Sequence, residues 1–166
     1  MLIRNETVDD IPEIRAVVTE AMTMLAQSTG TEAQIIDRLR EDKALALSLV
    51  AEDDGEVVGY LAVSQAQVGA QNSWGLIGPL AVLPSRHGQG IGSTLMADTI
   101  RRLRTTFQGA VLVGDPRYYG RFGFRAFPGL CVGAIPPEFV QALPFDATEP
   151  RGEVIHHPAF GLKQQR

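Results

Sequence analysis

The stretch "PSRHGQGIGS" at 84–93 sets three glycines at alternate positions, 88, 90 and 92, between an apolar run and an amphipathic one. The apolar run, "SWGLIGPLAVLP" at 73–84, predicts a strand. The amphipathic one carries Ile91, Leu95, Met96, Thr99, Ile100 and Leu103 on one stripe and predicts a helix. Arg101, Arg102 and Arg104 suit the negative end of its dipole. A strand handed to a helix through so short a turn points to an α/β architecture. Glycine there costs backbone entropy, so the geometry has to need it. Either the turn is merely tight and packs helix against sheet, or a large anion must approach the backbone. The first amides of a helix lack intrahelical partners and carry partial positive charge, and glycine leaves no Cβ between them and a phosphate.

The flanking sequence supplies the other elements. "LIRNE" (2–6) is a short alternating strand. Residues 7–22 place Ile11, Ile14, Val17, Val18 and Ala21 at helical spacing, with Thr7 and Asp10 as a capping box and Pro12 in the first turn. A second helix fits 31–44, with Ile35, Ile36 and Leu39 inward, and "TMLAQSTG" (23–30) either extends the first helix or forms a mobile connection. Two β-rich runs flank Asp53-Asp54-Gly55-Glu56, a strong hairpin signal. Pro79 cannot donate to a ladder, so a bulge or a free edge is expected there. "GAVLVG" (109–114) reads as a buried strand and "DPRYYGRFG" (115–123) as a short helical turn. "FRAFPGLCVGAI" (124–135) reads as a strand, "PPEFVQALP" (136–144) as a helix and "EVIHHPAF" (153–160) as a last strand. The order β-α-α-β-β-β-α-β-α-β, with a short C-terminal extension, predicts an α/β domain with a mixed sheet. One domain over 1–166 is expected, its core at about 1–128 and its tail at 129–166.

Composition excludes several classes. A net charge of −4 argues against a nucleic-acid partner. No window approaches the roughly 18 apolar residues of a membrane span, and "MLIRNETVDDIP" lacks a signal-peptide apolar region. The single cysteine, Cys131, rules out an internal disulfide framework, leaves too few thiols for a zinc-thiolate site and suits a reducing, cytoplasmic setting.

Which anion would the turn take? The Walker pattern needs Lys-Ser/Thr after its last glycine, and a dinucleotide fingerprint needs Gly-x-Gly-x-x-Gly; neither fits Gly-Gln-Gly-Ile-Gly. "LAVLPSRHGQGIGSTLM" instead resembles the acetyl-coenzyme A signature of the GNAT N-acetyltransferase superfamily, Gln/Arg-x-x-Gly-x-Gly/Ala. Gly90 and Gly92 fall on its small positions and His87 on the Gln/Arg position, a departure that neighbouring Arg86 or the backbone amides offset. "YYGRFGF" (118–124) resembles the superfamily's later Tyr-x-x-x-Gly-Phe element, through Tyr119, Gly123 and Phe124. The string "GDPRYYGRFGF" is similar to the YhbS-like branch, and the resemblance covers about residues 1–128.

The resemblance implies a mixed, mostly antiparallel central sheet flanked by helices. It also implies that acetyl-CoA is the acetyl donor, with the pyrophosphate on the amides of Gly88, Gln89, Gly90, Ile91, Gly92 and Ser93, beside His87 and Arg86. Strand backbone at Leu80, Ala81 and Val82 would pair with the pantetheine arm, helped by a splay near Pro79, and the Val82 amide would polarise the acetyl carbonyl. Tyr119 is the candidate acid for the coenzyme A sulfur, with Tyr118 a competing phenol. Of the local basic set Arg86, Arg117, Arg121 and Arg125, Arg121 and Arg86 are the candidates for the coenzyme A phosphates.

The general base stays unassigned among Asp115, His156, His157 and ordered water. Cys131 reads as a buried small hydrophobe rather than a nucleophile, and Trp74 and Phe145 read as core or as acceptor-pocket walls. The expected reaction is metal-free direct transfer in a ternary complex to a small-molecule or peptide amine, with no membrane or nucleic-acid partner and a homodimer left open. A non-catalytic acyl-CoA sensor on the same fold is the alternative; hydroxyl acylation, a longer acyl donor and nucleotide binding follow.

Overall fold

The computed structural model describes residues 1–25 and 30–161. Along the chain come β1 (Leu2–Asn5), α1 (Ile11–Met22), α2 (Glu32–Glu41), β2 (Leu45–Asp53), β3 (Glu56–Val68), β4 (Gln71–Val82), α3 (Ile91–Leu103), β5 (Gly109–Val113), α4 (Pro116–Tyr119), β6 (Leu130–Cys131), β7 (Val140–Pro144) and β8 (Gly152–Ile155). Hydrogen bonding orders the strands β1-β2-β3-β4-β5-β7, with β8 against β3 and β6. Pairs β1/β2, β3/β8 and β5/β7 are antiparallel, whereas β4/β5 and β6/β8 are parallel. This is the mixed, mostly antiparallel α/β sheet expected. No helix among the described residues is long and apolar enough to cross a membrane.

The fold divides into two compact units, one of Met1–Val63 with Pro79–Thr99, the other of Ser64–Gly78 with Ile100–Arg166. In the first, Asp54 and Gly55 both have positive φ, 50° and 77°, the backbone of a type I′ turn that matches strand twist. Asp10 accepts from the Thr7 amide at 2.7 Å and from the Thr7 hydroxyl at 3.0 Å, and both arms of Arg4 grip it. Those contacts hold its carboxyl well below the usual carboxylate range. α2 is fastened by Arg40, whose guanidinium donates to both oxygens of Glu6. Ile14, Val17, Val18, Ala21 and Ile36 pack on Val50, Val57 and Tyr60 to form this unit's core. Gly59 sits beneath α3: a Cβ there would lie 2.9 Å from Ile91 Cγ2 and 3.1 Å from Leu95 Cδ1. The missing side chain lets the first turn of α3 rest directly on the sheet.

In the second unit Trp74, Leu76, Val111, Phe127, Leu130, Val140 and Ala142 form the core. The β4/β5 ladder runs Trp74↔Gly109, Gly75↔Ala110, Leu76↔Val111 and goes no further. It ends three residues before Pro79, and Gly78 between them has a φ of 150°.

Several expectations are corrected. "PPEFVQALP" is not a helix: a 3-10 turn at Pro137–Phe139 leads into β7, which pairs with all of β5. Five consecutive β5 partners outweigh a weak helical pattern. "FRAFPGLCVGAI" holds only the two-residue β6 and an isolated bridge from Arg125 to Ala142, since Pro128 and Gly129 interrupt it. The tail is therefore part of the sheet rather than an extension. On α2, Ile36 and Leu39 are buried whereas Ile35 is only half-buried. α1 ends at Met22; of the 23–30 connection, residues 26–29 lie outside the described residues.

Candidate active site

In the first unit, β4 ends at Val82 and the chain makes a 3-10 turn, Pro84–Arg86, before the glycines. Gly88 and Gly90 have φ of 78° and 81°, with Gln89 between them outside the positive-φ region. Such alternation turns successive N–H groups toward one concavity. A Cβ at either glycine would meet nothing within 4 Å, so conformation, not crowding, requires glycine and the space above is open. The first hydrogen bond of α3 runs from Thr94 N to Gly90 O, 3.0 Å, so the amides of Ile91, Gly92 and Ser93 precede the ladder. The first turn of α3 carries no acidic residue, in contrast to Glu13 on α1 and Glu32 on α2. The positive end of its dipole is thus not neutralised by the chain's own carboxylates.

Two side chains brace this turn. His87 Nε2 lies 3.0 Å from Val82 O. Arg86 pairs with Asp53 at the β2–β3 hairpin and donates from Nε to Gln89 Oε1 at 3.0 Å. Arg86 holds the Asp53 carboxyl below its ordinary pKa. Leu80 and Val82 are half-buried on β4 and Ala81 is buried in the core.

In the second unit, Asp115 caps α4 by accepting from Arg117 N at 2.9 Å and pairs with the Arg117 side chain. This holds its carboxyl below the ordinary value, the reverse of a poised base. The Tyr119 ring lies on Gly114, where a Cβ would stand 2.9 Å from Tyr119 Cδ2, and edge-on to Tyr118 at 4.9 Å between centroids. Burial pushes its phenol up to about 12, so it is a protonated donor at neutral pH. Arg121 stacks over Tyr118 at 4.5 Å.

The remaining candidates make the following contacts. Trp74 is fully buried against Gly109, a core residue rather than a pocket wall, and Phe145 lies under Arg104 at 4.7 Å. His157 Nδ1 accepts from Ala159 N at 2.9 Å and caps a 3-10 turn, while His156 is buried against Phe160. Arg125 stacks on Phe127, and half-buried Cys131 lies along β6. Among the described residues no group of three or more His, Cys, Asp or Glu could hold a metal ion.

Sequence reasoning passed over Gly59, Asp53 and Gln141. A lone glycine inside the apolar run of β3 was the available signal for the first, since it marks close backbone approach. Asp53 was read only as a turn residue, and Gln141 was hidden in a segment assigned to a helix.

Comparison with known proteins follows the same lines. Residues 45–126 match the acetyltransferase (GNAT) domain family. The chain is 39% identical over 128 residues to the uncharacterized N-acetyltransferase YhbS of Escherichia coli K12, covering 75% of this chain and 74% of that one. A GNAT family acetyltransferase of Brucella melitensis, solved with acetyl-CoA, superposes with a TM-score of 0.85 at 42% identity over 96% of this chain and 97% of that one. Escherichia coli YhbS, solved with CoA, superposes at 0.88 with 32% identity over 96% and 91%.

Proposed function

The chain belongs to the GNAT acetyltransferase family, and from that membership we propose that it moves an acetyl group from acetyl-CoA to a small-molecule or peptide amine in a ternary complex. The observation that carries the binding half is the open turn at the head of α3, with positive φ at Gly88 and Gly90 and no atom within 4 Å above either. The amides of 88–93 would receive the pyrophosphate, as helix-start amides do. Arg86, braced on Asp53 and Gln89, and Arg121, stacked on Tyr118, would stand beside the phosphates. Backbone at Leu80, Ala81 and Val82 would meet the pantetheine arm, beyond the point where the β4/β5 ladder ends at Leu76.

In the transfer itself, the neutral amine nitrogen attacks the thioester carbon and its proton passes to water. The Val82 amide steadies the oxyanion. The C–S bond then breaks, and Tyr119 gives its phenolic proton to the departing thiolate and is reprotonated from solvent. Among the described residues nothing hydrogen-bonds the Tyr119 hydroxyl, so its proton is not committed within the chain.

Two measurements test this. Calorimetric titration with acetyl-CoA should give saturable binding, and no heat at high micromolar concentration would sink the reading. Release of free thiol across a panel of primary amines, aminoglycosides, amino acids and peptides should identify the acceptor; binding without release with any of them would leave an acyl-CoA sensor in its place.

A further inference from the structure

Gln141 stands on β7 opposite Leu112 of β5. Its neighbours Val140 and Ala142 belong to the apolar core, so strand alternation turns Gln141 and Leu143 to the other face. The segment after β5 packs on that face: a Cβ at Gly123 would stand 3.2 Å from Leu143 Cδ1. Gln141 is fully buried; its Nε2 donates to Gly114 O at 2.9 Å, while its Oε1 has no partner among the described residues. A buried amide with one end unpaired is costly where an apolar side chain would fill the same space.

The bond that Gln141 does make falls on a particular peptide. Gly114 is held twice, its N–H donating to Phe139 O at 3.0 Å and its carbonyl accepting from Gln141. The Tyr119 ring rests on that glycine's Cα. The next residue, Asp115, accepts through its carbonyl from the amides of Tyr118 and Tyr119, both at 3.0 Å, so the turn that carries the phenol begins at the same point.

We infer that Gln141 is a positioning residue for Tyr119: by anchoring the Gly114 carbonyl it fixes both the floor under the phenol ring and the start of the turn that presents it. Its effect on turnover rests on the reading of Tyr119 as proton donor; its effect on the ring does not.

The test compares the intact chain with Gln141→Met, which keeps the volume and removes the donor. In the wild type the Gly114 Hα signals should be shifted upfield by the ring above and give strong cross-relaxation to the Tyr119 ring protons. In Gln141→Met that upfield shift should shrink and the cross-peaks weaken. With acetyl-CoA and the amine found by the thiol-release screen, kcat should fall by about fivefold or more with little change in the acetyl-CoA KM, and by no further factor in a Tyr119→Phe background. An unchanged Gly114–Tyr119 signature, or equal kcat losses in both backgrounds, would overturn the proposal. If Gln141→Met loses the dispersed spectrum of a folded chain, the wild type decides. Side-chain amide protons of Gln141 that resist exchange with solvent support the anchor, and free exchange refutes it. A chain with no acetyl transfer, or a fully active Tyr119→Phe, removes the functional reading while the spectroscopic result still judges Gln141.

Discussion

The imidazole Nε2 of His87 lies 3.0 Å from the carbonyl oxygen of Val82, tying the glycine turn back to the end of β4. A carbonyl only accepts, so Nε2 carries the proton. The residue that departs from the family signature is thus a brace between the two backbone stretches proposed to meet coenzyme A. Removing it as His87→Ala should weaken acetyl-CoA binding by roughly three- to tenfold, the worth of one net hydrogen bond. Calorimetry on the variant checks this, and an unchanged affinity would make the brace dispensable.

Gly88 and Gly90 are required by their φ alone, because space above them is open. Alanine at either should cost about 1–2 kcal/mol of stability, read by urea denaturation, and asparagine should cost less. A bulky residue at 90 should abolish acetyl-CoA binding even where the chain stays folded.

Gly59 answers to crowding instead. With Ile91 Cγ2 2.9 Å from where a Cβ would sit, Gly59→Ala should lift the head of α3 and cost about 1–3 kcal/mol. The acetyl-CoA Kd should rise with it. Stability lost with no change in Kd would show that the turn tolerates a displaced helix.

Asp10 predicts an acid response. Hydrogen bonds from Arg4 and Thr7 depress its folded pKa, so its contribution is complete above the unfolded value near 4 and is lost as pH falls through the folded one. Asp10→Asn should therefore destabilise the chain by about 1–3 kcal/mol at pH 7, and the gap from wild type should close in strong acid. Denaturation curves at pH 7, 5 and 3 check it: the gap should be the same at pH 7 and 5 and have begun to narrow at pH 3.

Tyr119 predicts the alkaline side. A phenol pushed up to about 12 remains a donor throughout the range in which the chain can be assayed. Tyr119→Phe should lower kcat by about a hundredfold at pH 7 and by the same factor at pH 9.5, while sparing acetyl-CoA binding. A ratio that collapses by pH 9.5 would mean that the acid titrates lower and is another group.

The glycine turn, the Asp-Gly hairpin and the Thr7–Asp10 capping box of the 3-10 turn that leads into α1 were legible because each is a local rule written in adjacent residues. Thr7 and Asp10 meet across three positions, and Asp54-Gly55 forms the turn its dipeptide names. The tail was not legible for the opposite reason. Val140–Pro144 has no strong local pattern of its own and becomes a strand because β5 offers it a full ladder. Trp74 stayed open between core and pocket wall for a related reason: an aromatic's composition does not say whether it lines a cavity or fills the space over Gly109, as the fold has it do. Arg86 and Asp53, 33 residues apart, illustrate what spacing cannot reach.

Trp74 is the single tryptophan of the chain, and it is sealed in the core of the second unit. Its emission is therefore an intrinsic optical reporter of that unit. Heating while following both tryptophan emission and far-ultraviolet dichroism would test, without a label, whether that unit melts together with the rest of the chain.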